Sequence, residues 1–132
     1  MNINNLLNLT KEQIDNSKIH FATGKNSLYE ALYVFFGGEF KEWQEEQNKL
    51  NFNKKHIFSL IYFKKNEWLF AGVYEQKSVE KKENKYFYKT ELTSIGNELI
   101  GRLVIRFEKK FRSSYTFLKN SINSFEVIEI MR

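Results

Sequence analysis

The spacing of apolar positions along this chain changes character near residue 55. Before that point it is helical. Thr10 followed by Gln13 matches a capping box and predicts a short helix through about Lys18, after an Asn- and Leu-rich amino-terminal arm. Asn26 or Ser27 caps a second helical segment, with Leu28, Leu32 and Phe35 roughly on one face, until Gly37-Gly38 interrupts it. EFKEWQEEQNKL reads as a third helix: Phe40, Trp43 and Gln47 recur at intervals of three and four, and Glu39, Glu42, Glu45 and Glu46 fall mostly on wetter faces.

After residue 55 the period shortens to that of strands. HIFSLIYF and EWLFAGVYE read as an antiparallel pair joined by a turn at Lys64-Lys65-Asn66, with Gly72 marking a bulge or a close backbone approach. The charged stretch QKSVEKKENK reads as a solvated loop, and YFYKTEL as the next strand. ELIGRLVIRFE is a strand with Leu103, Ile105 and Phe107 on one face and Arg102, Val104 and Arg106 on the other. RSSYTFLKNSI reads as a short helix and FEVIEI as a final strand. Helices followed by four or five strands predict an α+β fold, a curved, mostly antiparallel sheet or partly open barrel. Residues 1–25 form an arm with a short helix, and 26–132 the body of a single domain.

At 132 residues, 42% apolar and 17% aromatic, the chain has the material for one modest core. No apolar run reaches the roughly 20 residues that span a bilayer, so no membrane partner is expected. Cysteine is absent, which removes disulfides and thiol chemistry and fits a cytoplasmic setting. The ending at Arg132, directly after an apolar strand, reads as a domain excised from a longer protein.

The formal net charge of +5 favours a polyanionic partner only weakly, but the distribution of arginine is more specific. Three of the four arginines, Arg102, Arg106 and Arg112, lie within eleven residues, with Lys109 and Lys110 between them. The planar guanidinium grips phosphate in a way that lysine does not, so these five residues are the candidate phosphate contacts. Their competing reading is a solvated face, with Arg102 and Arg106 paired to glutamates such as Glu75 or Glu91. A second group, Trp68, Tyr74 and Tyr88, is the candidate for stacking a base. Trp68, Phe70 and Gly72 share a strand face that Tyr74 continues, and a glycine between rings leaves room for a planar ligand. The competing reading is plain core. Gln44 and Gln47 are candidate polar contacts to a base, set against a helix that merely docks Phe40 and Trp43 on the sheet.

Catalysis has little support. His20 and His56 are far apart in sequence, no metal-ligand spacing occurs, FATGKNS lacks the glycine-rich phosphate loop, and Ser113-Ser114 lacks a nucleophile-elbow context. Neither a catalytic residue, a metal nor a cofactor is expected in this chain.

GGEFKEWQEEQNKLNF (37–52), HIFSLI (56–61), EWLFAGVYE (67–75), YKTEL (88–92), ELIGRLVIRFEKKFRSSY (98–115) and FEVIEI (125–130) together resemble the amino-terminal, non-catalytic region of bacterial and phage GIY-YIG nuclease family proteins. The resemblance covers roughly residues 28–132. It implies a DNA-binding, target-recognition domain of a restriction-type nuclease whose catalytic domain is fused elsewhere in the parent chain. Gly72-Val73-Tyr74 is superficially similar to the first half of the nuclease signature, but no second half follows, so no catalytic residue is carried over. The layout also resembles PUA-like domains, which implies recognition of a modified cytosine as one role. An RNA-binding module of that build, and a protein-interaction domain, are the alternatives.

Overall fold

In the computed structural model, residues 3–24, 26–38, 40, 44–47 and 55–132 are described, with 44–47 and 85–88 represented by backbone alone. The amino-terminal arm is docked. Helix α1 (Ile3–Leu7) buries Ile3 and Leu7 in the main core. Helix α2 (Lys11–Asp15) opens on the expected capping box: Gln13 N–H donates to Thr10 Oγ1 at 3.1 Å, and Thr10 N–H donates to Gln13 Oε1 at 2.8 Å. The helix stops at Asp15 rather than near Lys18, because strand β1 (Ser17–Ala22) begins there, its Ile19 and Phe21 sealed in the core.

Helix α3 (Glu30–Phe36) follows and ends at Gly37, as the glycine pair predicts. The third helix expected at residues 39–50 is corrected where the chain is described: Gln44–Gln47 is strand β2. Trp43 lies outside the described residues. Then come β3 (His56–Lys64), β4 (Glu67–Lys82), β5 (Lys85–Leu92), β6 (Leu103–Arg106), β7 (Tyr115–Phe117), helix α4 (Leu118–Ser121) and β8 (Glu126–Ile130). Three further expectations are corrected. QKSVEKKENK is not a loop but the second half of β4 and the start of β5, with only Glu83-Asn84 turning. Both turn residues have positive φ, 49° and 68°, the geometry that matches the twist of a two-residue hairpin. Residues 97–102 form turns before a four-residue β6, and part of the helix expected at 112–122 is β7.

The sheet runs β2-β5-β4-β3-β1-β7, with β6 on β4 and β8 on β6. Among the described residues only the β1–β3 pairing is parallel. The fold is α+β: short helices pack on a strongly curled, mostly antiparallel sheet that makes a partly open barrel of the PUA-like kind. Both faces of the central strands are covered. Ile19, Phe21, Phe58, Leu60, Trp68, Phe70, Leu103 and Ile105 form the main core with α1 and α4. Ala22, Ile61, Leu69, Ala71 and Val104 face the other way, under Ala31 and Leu32 of α3. No described helix is long and apolar enough to cross a membrane.

Gly72 sets the pleat of β4. Ser59 pairs with Gly72 but Leu60 pairs with Phe70, so Ala71 is an extra residue on β4 and the ladder bulges there. Side-chain alternation shifts across the bulge: Val73 joins the face of Trp68 and Phe70. Gly72 holds φ at +118°, which a residue with a Cβ rarely adopts, and an added Cβ would lie 2.7 Å from Leu92 Cδ1. Leu92 is half exposed and can swing aside, so backbone strain dominates the cost. Gly72→Ala is expected to destabilise the chain by about 1–3 kcal/mol, read as a lower urea midpoint.

Candidate nucleic-acid interface

Where β6 ends, the chain leaves the sheet and builds the most basic exposed loop among the described residues, 107–114. Its root is fixed from inside. Phe107 is buried, its N–H donates to Asn66 O at 2.9 Å, and its own carbonyl accepts a 3.1 Å hydrogen bond from Trp68 Nε1. Trp68 itself lies against Phe21 at 4.9 Å and Tyr62 at 5.6 Å, both edge-on. Four residues on, Phe111 turns back and sets its ring against Phe21 at 5.7 Å and Phe107 at 6.4 Å. Aromatic packing therefore holds the loop at its root and at its midpoint. Its exit is tied down when Phe21 N–H donates to Ser114 O at 2.8 Å, just before β7 joins β1.

The five predicted phosphate contacts separate into two groups under this geometry. Arg102 precedes β6 and spans two main-chain carbonyls, Met131 O through Nε and Glu98 O through an η nitrogen, each at 2.7 Å. It clasps the turn before β6 to the chain just after β8. Arg106 pairs with Glu126 at 3.2 Å, directly opposite it in the β6–β8 ladder. Glu75 and Glu91, the glutamates expected in this pairing, are engaged elsewhere: Glu75 with Lys55 and Lys77, and Glu91 with Lys77. The strand alternates as expected, with Leu103, Ile105 and Phe107 in the main core and Val104 on the opposite face, where the second core buries it. Lys109 folds inward, its Nζ donating to Phe111 O at 2.8 Å and lying 5.0 Å from the centre of the Phe111 ring. Burial there lowers its pKa below the usual lysine range. Lys110 and Arg112 remain: both are exposed, and neither has a hydrogen bond or ion pair among the described residues.

The aromatic candidates do not converge. Trp68 is a core side chain whose one polar atom is already used by Phe107. Tyr74, expected on the Trp68 face, is turned away by the bulge and meets Phe40, which packs on the second core, at 6.5 Å. The side chains of Tyr88, Gln44 and Gln47 lie outside the described residues. Their backbones are neighbours, with Gln44 opposite Tyr88 and Gln47 opposite Tyr86, on the β2–β5 flank. That flank and the arginine cluster occupy opposite ends of β4, since Arg106 pairs with Glu67 and Tyr88 with Val79.

Against the basic loop, α4 and the turn after it leave a cleft of about 400 Å³. Phe107 and Phe111 line it together with Glu108, Lys110, Asn120 and Ser124. Sequence reasoning missed Phe111 and Asn120. An aromatic residue standing alone in EKKFRSS was a usable signal for the first. Asn120 carried none, because it comes from a different element. A second cleft of about 310 Å³ lies between α2 and β3, lined by Thr10, Glu12, Gln13, Asn16, Lys55 and His56.

No protein-family model, curated protein or solved structure matches the chain.

Two predictions follow from this geometry. Trp68→Ala empties a core position and frees Phe107, and is expected to cost about 3–5 kcal/mol of stability. Lys110→Ala and Arg112→Ala should stay within about 0.5 kcal/mol of the parent, all read by denaturant unfolding. The second concerns His56, whose pKa burial lowers from 6.5, with Lys55 adding to the drop and Glu75 opposing it. Its Nδ1 is buried without a hydrogen-bond partner among the described residues. The folded state thus binds a proton less readily than the unfolded chain. The neutral ring's contribution is complete above 6.5 and is lost as pH falls below that value. The melting temperature should drop across that window, and His56→Phe should flatten the drop.

Proposed function

We propose that this chain binds DNA through the loop that follows β6, gripping phosphates with Lys110 and Arg112. The observation that carries the reading is that these two cations are exposed and have no hydrogen bond or ion pair among the described residues, on a loop rooted by the buried Phe107 and held midway by Phe111 against Phe21. Such a loop presents charge with little ordering cost on binding. Arg106 adds to the grip, because an exposed ion pair with Glu126 is worth only about 0.2–1 kcal/mol and a phosphate can displace it. Arg102 and Lys109 shape the surface rather than touch the ligand. The net charge of +5 supports the same partner.

Within this proposal the chain is the target-recognition part of a restriction-type nuclease. The resemblance of residues 28–132 to the amino-terminal region of GIY-YIG family proteins supports that role, and a modified cytosine is the base it would select. A second reading, a protein-interaction domain, is favoured by one observation. Tyr29, Tyr33 and Phe36 are exposed at helical spacing along α3 and its cap.

Fluorescence anisotropy against a labelled duplex decides between them. Affinity should fall steeply between roughly 50 and 200 mM salt, and Lys110→Ala and Arg112→Ala should each reduce the slope by about one. Tyr33→Ala should leave binding unchanged. No binding at low salt would overturn the DNA reading, and tighter binding to structured RNA would reassign it to RNA.

A further inference from the structure

The cleft beside the basic loop combines groups that phosphate binding alone does not require. Phe111 is more than a third exposed, yet it is fixed by Phe21 behind it and by the Lys109 ammonium against its ring. A partly exposed phenyl ring that lines a cleft offers a stacking surface to another flat ring. Around it stand a carboxylate, Glu108, an amide, Asn120, and a hydroxyl, Ser124. A carboxylate accepts from the exocyclic amino group of a base and offers nothing to the keto group of thymine. The Asn120 amide both donates and accepts, as a base edge requires. Glu108 would repel a phosphate, whereas Lys110 on the same cleft, and Arg112 next to Phe111, would attract one.

The geometry points to this cleft, not the surroundings of Trp68 and Tyr74, as the site for one nucleotide unit carrying an amino-bearing base. The base stacks on Phe111, its amino group donates to Glu108, its edge meets Asn120 and Ser124, and its phosphate lies toward Lys110 and Arg112. A volume of about 400 Å³ falls within the usual range of small-ligand sites. This inference deepens the DNA-binding reading and rests on it for the biological source of the nucleotide, but not for the chemistry of the cleft.

Titrating the isotopically labelled full chain with dCMP, dTMP and inorganic phosphate, followed by amide chemical shifts, tests it. The expected result is saturable movement of Phe111, Asn120 and Ser124 with dCMP, weaker with dTMP. Asn120→Ala should weaken dCMP about fivefold, the loss of one ordinary hydrogen bond. Glu108→Ala should erase the difference between dCMP and dTMP. Phe111→Ala is a second variant whose exposed ring can be removed without opening the centre of the core, and it should abolish the response. Equal responses to dCMP, dTMP and phosphate, or shifts that map away from the cleft, would overturn the inference. Salt-sensitive duplex binding with no nucleotide response would overturn the cleft alone and leave the DNA reading standing. A dCMP response without any duplex binding would support the cleft and overturn that reading.

Discussion

Strand β4 is the constraint to which the rest of this molecule is registered. It runs from Glu67 to Lys82 and pairs with β3 along one edge, while the other edge takes β6 first and β5 afterwards. A strand that long must change its course to do this, and the bulge at Ala71-Gly72 is where it changes. Before the bulge its side chains alternate between two cores. Beyond Gln76 it leaves β3 behind and continues as a hairpin arm with β5. The positive φ of Gly72 therefore separates the packed end of the sheet from its extended end.

That division explains why the arginine cluster is less uniform than its sequence. Leu103, Val104 and Ile105 are consumed by the two cores, which leaves Arg102 and Arg106 as bracketing clasps, one to main-chain carbonyls and one to Glu126. Charge becomes available to a partner only after Phe107 has anchored the chain and the ladder has ended. Trp68 takes part from the inside. Its indole holds the Phe107 carbonyl and thereby fixes where the loop begins, although the ring is closed to any ligand.

Much of the fold was legible because local chemistry and tertiary context agree. The Thr10–Gln13 capping box, the glycine stop after α3, the β3–β4 hairpin and the bulge at Gly72 each follow from a few neighbouring residues. What was illegible depended on distant partners. Lysine and glutamate disfavour strands intrinsically, yet residues 76–82 are extended because β5 supplies the ladder. SKIHFA hides as a strand because Lys18 and His20 interrupt its apolar run, while His20 itself is buried and stacked on Tyr115 at 4.5 Å. The candidate site was half legible for the same reason. Lys110 and Arg112 stood out by composition, but no spacing in the sequence brings Asn120 to Phe111. Tyr74 was assigned to the Trp68 face by a strict two-residue period, and one bulge reverses such an assignment.

Amide hydrogen exchange on the full chain, with and without a short DNA duplex at low salt, tests the central claim most directly. If the loop after β6 is the contact surface, exchange should slow across 107–114 and 118–124 when duplex is added. The hairpin tip at 81–86 and helix α3 should be unaffected. Slowing at the hairpin tip or along α3, with the loop unchanged, would contradict the account and move the interface to the other end of β4 or to the aromatic stripe of Tyr29, Tyr33 and Phe36.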